Sequence, residues 1–495
     1  MSQPGDYFFC GIGGSGMTPL ALIIQARGGH VEGSDRALDQ GRNAERFDFL
    51  RGREVLLHPQ DGSGISRASQ ILVTSAAVEE MVPDVQAARR IGASIITRPR
   101  LLAQLFNRAG LGIGVAGTSG KSTTVGMIGW ILHCAGRSPT IMNGADMKNF
   151  IDLDSPFASA RVGDGDVFVS EVDESDGSIV FFEPRVAAVN NISLDHKSLD
   201  ELRTLFRGFI ASARTAVLNL DNAETAALSA GLKPGQAVTY GLRATQAHLQ
   251  ASPPIRSPTG IAFQVKDRDS GEVVEVTLKV PGLHNVANAL APLWSLSVAK
   301  ACRVGLAEGA AHLGEFSGIR RRLEVVGTAS EITVIDDFAH NPDKISATLE
   351  TMHAFPGRLL LMFQPHGYGP LRLMRDALVD CFVSGLRDED VLVMPEPVYF
   401  GGTVDRSVGS QEIICEIERH GRKAFAFPDR SACGDALVKL ARRGDRIVVM
   451  GARDDSLSQF AHELLRRIAL SRGSTVLVTA RNRQSTSQPR ANAQD

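Results

Sequence analysis

The chain has 495 residues, 43 % hydrophobic and 22 % charged, ordinary proportions for a globular protein and enough length for about three domains. Lys plus Arg number 53 against 55 Asp plus Glu, a formal net charge of −2, which lacks the basic surplus of a general nucleic-acid binder. No run reaches roughly 18 apolar residues, the polar start Met1–Asp6 leads into a glycine-cut stretch, and six scattered cysteines show no C-x-x-C spacing. These features predict a cytoplasmic protein with no membrane span, secretory leader, disulfide framework or zinc module.

The first predicted strand, 7–10, runs into Gly11-Ile12-Gly13-Gly14-Ser15-Gly16, followed by a helix predicted over 18–27. This is G-x-G-x-x-G in the strand-to-helix context it requires: the glycines permit a tight turn and close approach of the backbone to a pyrophosphate at the helix N-terminus. Asp35 lies 24 residues beyond Gly11, after a second strand ending near Val31, where a carboxylate can meet a ribose hydroxyl. Gly11, Gly13, Gly14, Ser15, Gly16 and Asp35 are therefore candidate ligand residues; the alternative is a tight turn that binds nothing. Strands at 71–74 and 94–97 follow. The helical stretch 101–108 ends at Ala109-Gly110, which predicts a first domain spanning 1–108.

A strand at 111–116 leads into Gly117-Thr118-Ser119-Gly120-Lys121-Ser122-Thr123 and a helix over 122–133. The run ends in G-K-[ST]. Its backbone N–H groups surround phosphates, Lys121 reaches the β/γ oxygens, and the Ser122 hydroxyl can ligate Mg²⁺. The spacing departs from G-x-x-x-x-G-K-S, because Val115 holds the first position. A dehydrogenase using Gly11–Gly16 for NAD has no use for this second loop, which predicts a nucleoside triphosphate.

The strand 167–172 ends in Glu171-Val172-Asp173-Glu174-Ser175-Asp176. Phosphate-bound Mg²⁺ takes one or two protein carboxylates, and the alternative for this segment is a solvated acidic loop. The strand 186–192 leads to Leu194-Asp195-His196-Lys197, where a neutral imidazole at a neighbouring strand end can share a metal with Glu171; the alternative is a structural histidine. Residues 238–280 are β-rich and predict a small side sheet, with turns at Ser257-Pro258 and Ser270-Gly271. At the start of a helix predicted over 285–299, Asn285 and Asn288 stand one turn apart. Their amides suit an adenine edge, or simply a capped helix start.

The Gly- and Arg-rich run Gly314–Arg322 precedes another strand and marks a second boundary, giving a middle domain of 109–316 and a last domain of 317–478. Arginines 320–322 suit phosphate contacts or a solvated linker. The strand 332–335 leads into Asp336-Asp337-Phe338-Ala339-His340-Asn341-Pro342, where Asp337 can reach a ribose and His340 a phosphate. The alternative is a helix N-cap at Asp336 or Asp337. The strand 359–363 ends in Gln364-Pro365-His366 and faces the same edge. Strands at 391–394, 424–427 and 446–450 and a helix over 459–468 complete the alternation, which predicts α/β domains with parallel sheets and crossover helices. Residues 479–495, rich in Ser, Gln, Arg and Asn, read as a disordered tail.

In order and spacing, Gly11–Gly16, Gly117–Thr123, Glu171–Ser178, Asn191–His196, His284–Asn288, Phe316–Glu324 and Asp336–Pro342 resemble the Mur ligase family, the ATP-dependent amide ligases of peptidoglycan precursor synthesis. The likeness covers residues 7–470 and is nearest to the alanine-adding members. It implies a Rossmann-like first domain for a UDP-sugar, a central P-loop ATPase-type domain, and a Rossmann-like last domain. It implies ATP and Mg²⁺, with UDP-N-acetylmuramate and a free amino acid, L-alanine first, as substrates of a monomer or weak homodimer. By the same likeness Lys121, His196 and Arg321 are catalytic. Residues 117–123 with Asn285, Asn288, Arg321, Asp337 and His340 hold the nucleotide, and Ser122, Glu171 and His196 hold the metal. The residues of the first loop, Asp35 and His366 meet substrate.

The chain departs from the alanine-adding pattern at four places. Ser119 and Asn341 each stand where His is usual, Gly367-Tyr368-Gly369-Pro370 replaces Arg-Tyr-Thr-Arg, and Arg453 stands where Gly is expected. These changes leave open a ligase for another amino acid or a recycled peptide. A nucleotide-gated regulatory protein that makes no amide is the reading from a different class.

Overall fold

A computed structural model describes residues 5–75, 78–193, 197–258, 260–298, 302, 304–397, 405–452, 454 and 456–473. The candidate metal ligand His196, the departure at Arg453 and the C-terminal tail lie outside them. Among the described residues the chain is α/β with three sheets, and it divides into two compact units, residues 1–320 and 321–495.

The first unit contains two sheets. One is wholly parallel, in the order Leu56–His58, His30–Ser34, Asp6–Cys10, Gln70–Thr74, Ser94–Thr97. Strand order reverses beside Asp6–Cys10, so Gly11 opens at the topological switch point, where ligands of doubly wound sheets bind.

The other sheet has eleven strands. At its centre Leu111–Ala116 is buried along its whole length between Val186–Val189 and Val167–Glu171, both parallel to it. A strand covered on both faces reads as a continuous apolar run, which is why its limits were legible in the sequence. The helix Lys121–Cys134 returns over it, burying Val125, Met127, Ile128, Ile131 and Leu132, and packs against the helix His284–Val298.

The expected side sheet is not separate. Ala237–Gly241 and Leu249–Ala251 continue the parallel order. Gly260–Asp267 then pairs antiparallel with Leu249–Ala251, Ile255–Ser257 and Val273–Leu278 at the edge of the same sheet. The short connections on either side of Gly260–Asp267 account for its antiparallel pairing with Ile255–Ser257 and Val273–Leu278, since a few residues suffice to reverse a strand. Phe106 joins the two sheets, meeting Phe168 and Phe182 edge-on at 5.7 and 5.4 Å in one shared core.

The second unit holds a six-stranded sheet in the order Glu324–Ala329, Ile332–Asp337, Arg446–Gly451, Leu359–Gln364, Val391–Pro395, Lys423–Phe427. All its pairs are parallel except the first. That edge strand was not expected. It folds back through Ser330 and Glu331, both left-handed (φ 51° and 61°), a primed two-residue turn made without its usual Asn-Gly signal.

Candidate active site

In the first loop, Gly11 and Ile12 donate to Ser34 O at 2.8 and 3.0 Å, and Gly14 donates to Gly11 O. Asp35 is engaged with the backbone: its two carboxylate oxygens accept from Gly13 N at 2.9 Å and Ala37 N at 2.8 Å, so it braces the loop and caps the short helix Arg36–Asp39. Arg46, which sequence reasoning missed, donates to Gly13 O at 2.7 Å. Ser15 is exposed and Gly16 begins the turn into the helix Met17–Ala26. Beyond the neighbouring strand ends lies a hollow of about 320 Å³ bordered by Arg36, Asp39, Gln60, Glu79, Met81 and Pro83.

The second loop is held from the adjacent strand end. Asn191 Oδ1 accepts from Ser119 N and Thr118 Oγ1, both at 2.9 Å, while its Nδ2 donates to Ser119 O at 3.1 Å. This clamp carries no local sequence signal, because its partners are more than seventy positions away. Gly120 is left-handed (φ 81°), and a Cβ there would stand 2.3 Å from Asn288 Oδ1. Asn288 and Asn285 do share a face: Asn288 Nδ2 donates to Asn285 Oδ1 at 2.9 Å, and Asn285 Nδ2 donates to Pro281 O. Both amides are buried beside the loop, and Thr124, the residue after Thr123, bonds Asn288 O and Asn190.

Lys121 Nζ donates to Gly117 O at 2.7 Å and to both oxygens of Glu174 at 2.9 and 3.2 Å. Glu174, read from the sequence as part of a solvated acidic loop, is buried instead. Burial opposes the lysine charge, but Glu174, Glu171 and Asp173 together hold Lys121 protonated above its ordinary range. Ser122 Oγ donates to Glu171 Oε2 at 2.8 Å, and Gly144 N donates to the same oxygen at 3.0 Å. A hydroxyl and a carboxylate meeting beside a phosphate-type loop are hard oxygen donors of the kind Mg²⁺ takes. Among the described residues no group of three or more His, Cys, Asp or Glu is arranged to hold a metal ion.

In the second unit, Arg321 is 8 % exposed rather than solvated. Its guanidinium donates to Gly451 O at 2.8 Å and Asp454 O at 3.1 Å, approaches Asp336 Oδ1 at 3.4 Å and lies over the Phe338 ring. Asp337 accepts from Leu323 N at 3.1 Å and Thr348 Oγ1 at 2.5 Å. Neither aspartate is a helix cap; Asn341 caps Pro342–His353 instead, because the strand runs on through Asp337 and Phe338–His340 separate it from the cap. His340 and His366 come together edge to face at 5.5 Å. Burial drives the His340 imidazole down to about 3, so it is neutral at physiological pH. Asp454 was also missed; it accepts from Gln364 at 2.8 Å and Arg430 at 3.0 Å across neighbouring strand ends.

Residues 6–109 match the profile described as Mur ligase family, catalytic domain; 115–296 match the Mur ligase middle domain; and 321–453 match the Mur ligase, glutamate ligase domain. The UDP-N-acetylmuramate–L-alanine ligase of Geotalea uraniireducens is 34 % identical over 454 residues, covering 90 % of this chain and 94 % of its own. That of Dinoroseobacter shibae is 32 % identical over 479 residues, covering 94 % and 98 %. The solved UDP-N-acetylmuramate-alanine ligase MurC of Thermotoga maritima superposes with a TM-score of 0.75 at 25 % identity, over 94 % of this chain and 99 % of its own. A murein peptide ligase from Psychrobacter arcticus shares the fold at a TM-score of 0.67 and 24 % identity. Three matched domains in order, over a nucleotide-type loop with its lysine and acids in place, make this chain a member of the Mur ligase family and an ATP-dependent ligase.

Proposed function

We propose that this chain joins L-alanine to the carboxylate of UDP-N-acetylmuramate, using ATP, in the cytoplasmic assembly of peptidoglycan precursors. The observation that carries the reading is the convergence of Lys121, Ser122 and Glu171 at adjacent strand ends, in a chain whose relatives above bear that activity in their names. We assign the sugar nucleotide to residues 1–108, the triphosphate to 109–316, and further substrate contacts to 317–478.

A carboxylate is a poor electrophile, so an amide does not form readily in water. In the proposed reaction the acid substrate's carboxylate oxygen attacks the γ-phosphorus of ATP, and ADP leaves. The amine then attacks the acyl carbon, loses a proton and expels inorganic phosphate. The loop N–H groups and Lys121 fix the phosphates and offset the charge that spreads over the transferring group. Ser122 and Glu171 would hold Mg²⁺, with His196 as the further ligand the resemblance implies; the ion supplies neutralisation of the triphosphate. Asn285 and Asn288 border the same loop and are assigned to adenine.

A second reading, ligation of another amino acid or a peptide, is favoured by one observation. Gly367 is left-handed (φ 141°) and Tyr368–Leu373 forms a short helix where the alanine-adding pattern carries two arginines. A phosphate-release assay with ATP, Mg²⁺ and UDP-N-acetylmuramate across free amino acids and short peptides separates the readings. Release that requires both the sugar acid and L-alanine supports the first, release with another amine supports the second, and release independent of both refutes ligation.

A further inference from the structure

The grip of Asn191 on the second loop is the last link in a run of amides that crosses three strand ends. Thr215–Asn219, Val186–Val189 and Leu111–Ala116 are neighbours in the sheet, in that order. Past the first, Asn222 Oδ1 accepts from Ile192 N and its Nδ2 donates to Ile192 O, both at 3.2 Å. Past the second, Asn191 takes both backbone groups of Ser119 in the same way, at 2.9 and 3.1 Å. Alongside, Asn219 Nδ2 donates to Asn190 O at 3.0 Å and Asn190 Nδ2 to Thr124 Oγ1 at 2.9 Å, all three residues buried. Thr118 is held as well: its N–H donates to Asn191 O at 3.1 Å, and its hydroxyl lies 2.9 Å from both Asn191 Oδ1 and Ser193 Oγ. Gly117 makes this approach possible, because a Cβ there would stand 3.0 Å from Asn191 O and 3.2 Å from Asn191 N.

The N–H groups of the loop are thereby divided. Those of Thr118 and Ser119 are committed to Asn191. The first helical bond runs from Thr124 N to Gly120 O, so the N–H groups of Lys121, Ser122 and Thr123 precede the helical ladder and are the donors left for phosphate. Gly117-Thr118-Ser119-Gly120 is a run of small residues, and a free loop of that kind would lose backbone freedom when it closed on a ligand. We propose that Asn191, seated by Asn222, is a positioning residue that fixes the phosphate loop in its nucleotide-ready form before the triphosphate arrives. This rests on the assignment of the triphosphate to this loop and deepens it.

Three readouts on the full chain test it: titration with a hydrolysis-resistant ATP analogue, turnover at saturating ATP, and hydrogen exchange of the backbone at residues 118–119. Asn191→Ala is expected to weaken the analogue about 10- to 100-fold, the effect of having to order about two residues on binding, with turnover at saturating ATP within about threefold. In the ligand-free chain, exchange at residues 118–119 is expected to quicken at least about tenfold in the variant, and the analogue is expected to slow it again. Asn222→Asp keeps the cap on the helix Ala223–Ser229, where Oδ1 accepts from Thr225 N at 3.1 Å, and loses only the bond to Ile192 O. It is expected to weaken the analogue about 2- to 5-fold. It carries the comparison if Asn191→Ala melts early. Unchanged affinity in both variants overturns the proposal, as does affinity lost with ligand-free exchange unchanged, or turnover lost with affinity retained. Wild-type chain that does not bind the analogue overturns the triphosphate assignment itself.

Discussion

Replacing Glu174 by Gln removes the counter-ion of Lys121 while keeping the side-chain shape. The pair is close, 2.9 Å, and enclosed, with side-chain exposures of 14 % for the lysine and 5 % for the glutamate. At an effective dielectric of about 20, two charges about 3 Å apart attract by about 5 kcal/mol, and removing one member of a buried pair costs about 3–5 kcal/mol. Lys121 keeps its bond to Gly117 O and the fields of Glu171 and Asp173, so we expect about 2–3 kcal/mol of destabilisation in the ligand-free variant. A bound triphosphate must draw Lys121 away from Glu174 in the wild type, whereas in the variant it supplies the missing anion. A hydrolysis-resistant ATP analogue should therefore bind Glu174→Gln about 10-fold tighter or more and raise its melting temperature by more than it raises that of the wild type. Titration calorimetry and ligand-induced melting shifts measure both, and the shifts are compared between variants because a chain with several domains need not unfold in one step. Unchanged or weaker binding by the variant would refute the argument that Glu174 and phosphate compete for the lysine.

Gly120→Ala puts a Cβ 2.3 Å from the buried Asn288 amide at a left-handed position; we expect at least about tenfold weaker nucleotide binding, read by the same titration. Arg321→Ala leaves Asp336, 1 % exposed, without its guanidinium and two carbonyl groups without a donor; a loss of about 3 kcal/mol, seen as an earlier unfolding step, is the expected result. His340 is held neutral down to about 3, chiefly by burial and secondarily by Lys344, His366 and Arg322. The unfolded chain therefore binds the extra proton first, and stability falls as pH drops below about 6.5, by up to about 1.4 kcal/mol per unit. His340→Gln should flatten that part of the profile in melting experiments run from pH 7 to 5. Ser122→Ala should raise the Mg²⁺ concentration needed for half-maximal turnover severalfold, with little change in thermal stability.

What was legible in the sequence shares a physical basis: short-range pattern. The buried run Leu111–Ala116 and the loop after it stand where periodicity and glycine spacing put them, as does the amide face of Asn285 and Asn288. What was not legible depends on partners distant in sequence or on unusual local backbone. Asn191 clamps a loop more than seventy positions earlier, and Glu174 holds a lysine 53 positions away. Asp35, a ribose candidate by its spacing, also accepts from the Gly13 and Ala37 N–H groups, a bracing of its own loop that the spacing does not announce. The hairpin at Ser330-Glu331 adopts a turn whose residues do not announce it. Arginines 320–322 look like a solvated linker in composition, and only the fold shows Arg321 closing over Phe338 with carbonyl groups at its fork.

The central claim is that triphosphate energy reaches the amide through a phosphorylated carboxylate. The most direct measurement uses UDP-N-acetylmuramate labelled with ¹⁸O in both carboxylate oxygens, with ATP, Mg²⁺ and L-alanine, and mass spectrometry of the phosphate released. The account predicts one ¹⁸O in each phosphate and one retained in each new amide, with neither product formed by Lys121→Ala. Unlabelled phosphate accompanying amide formation would contradict it.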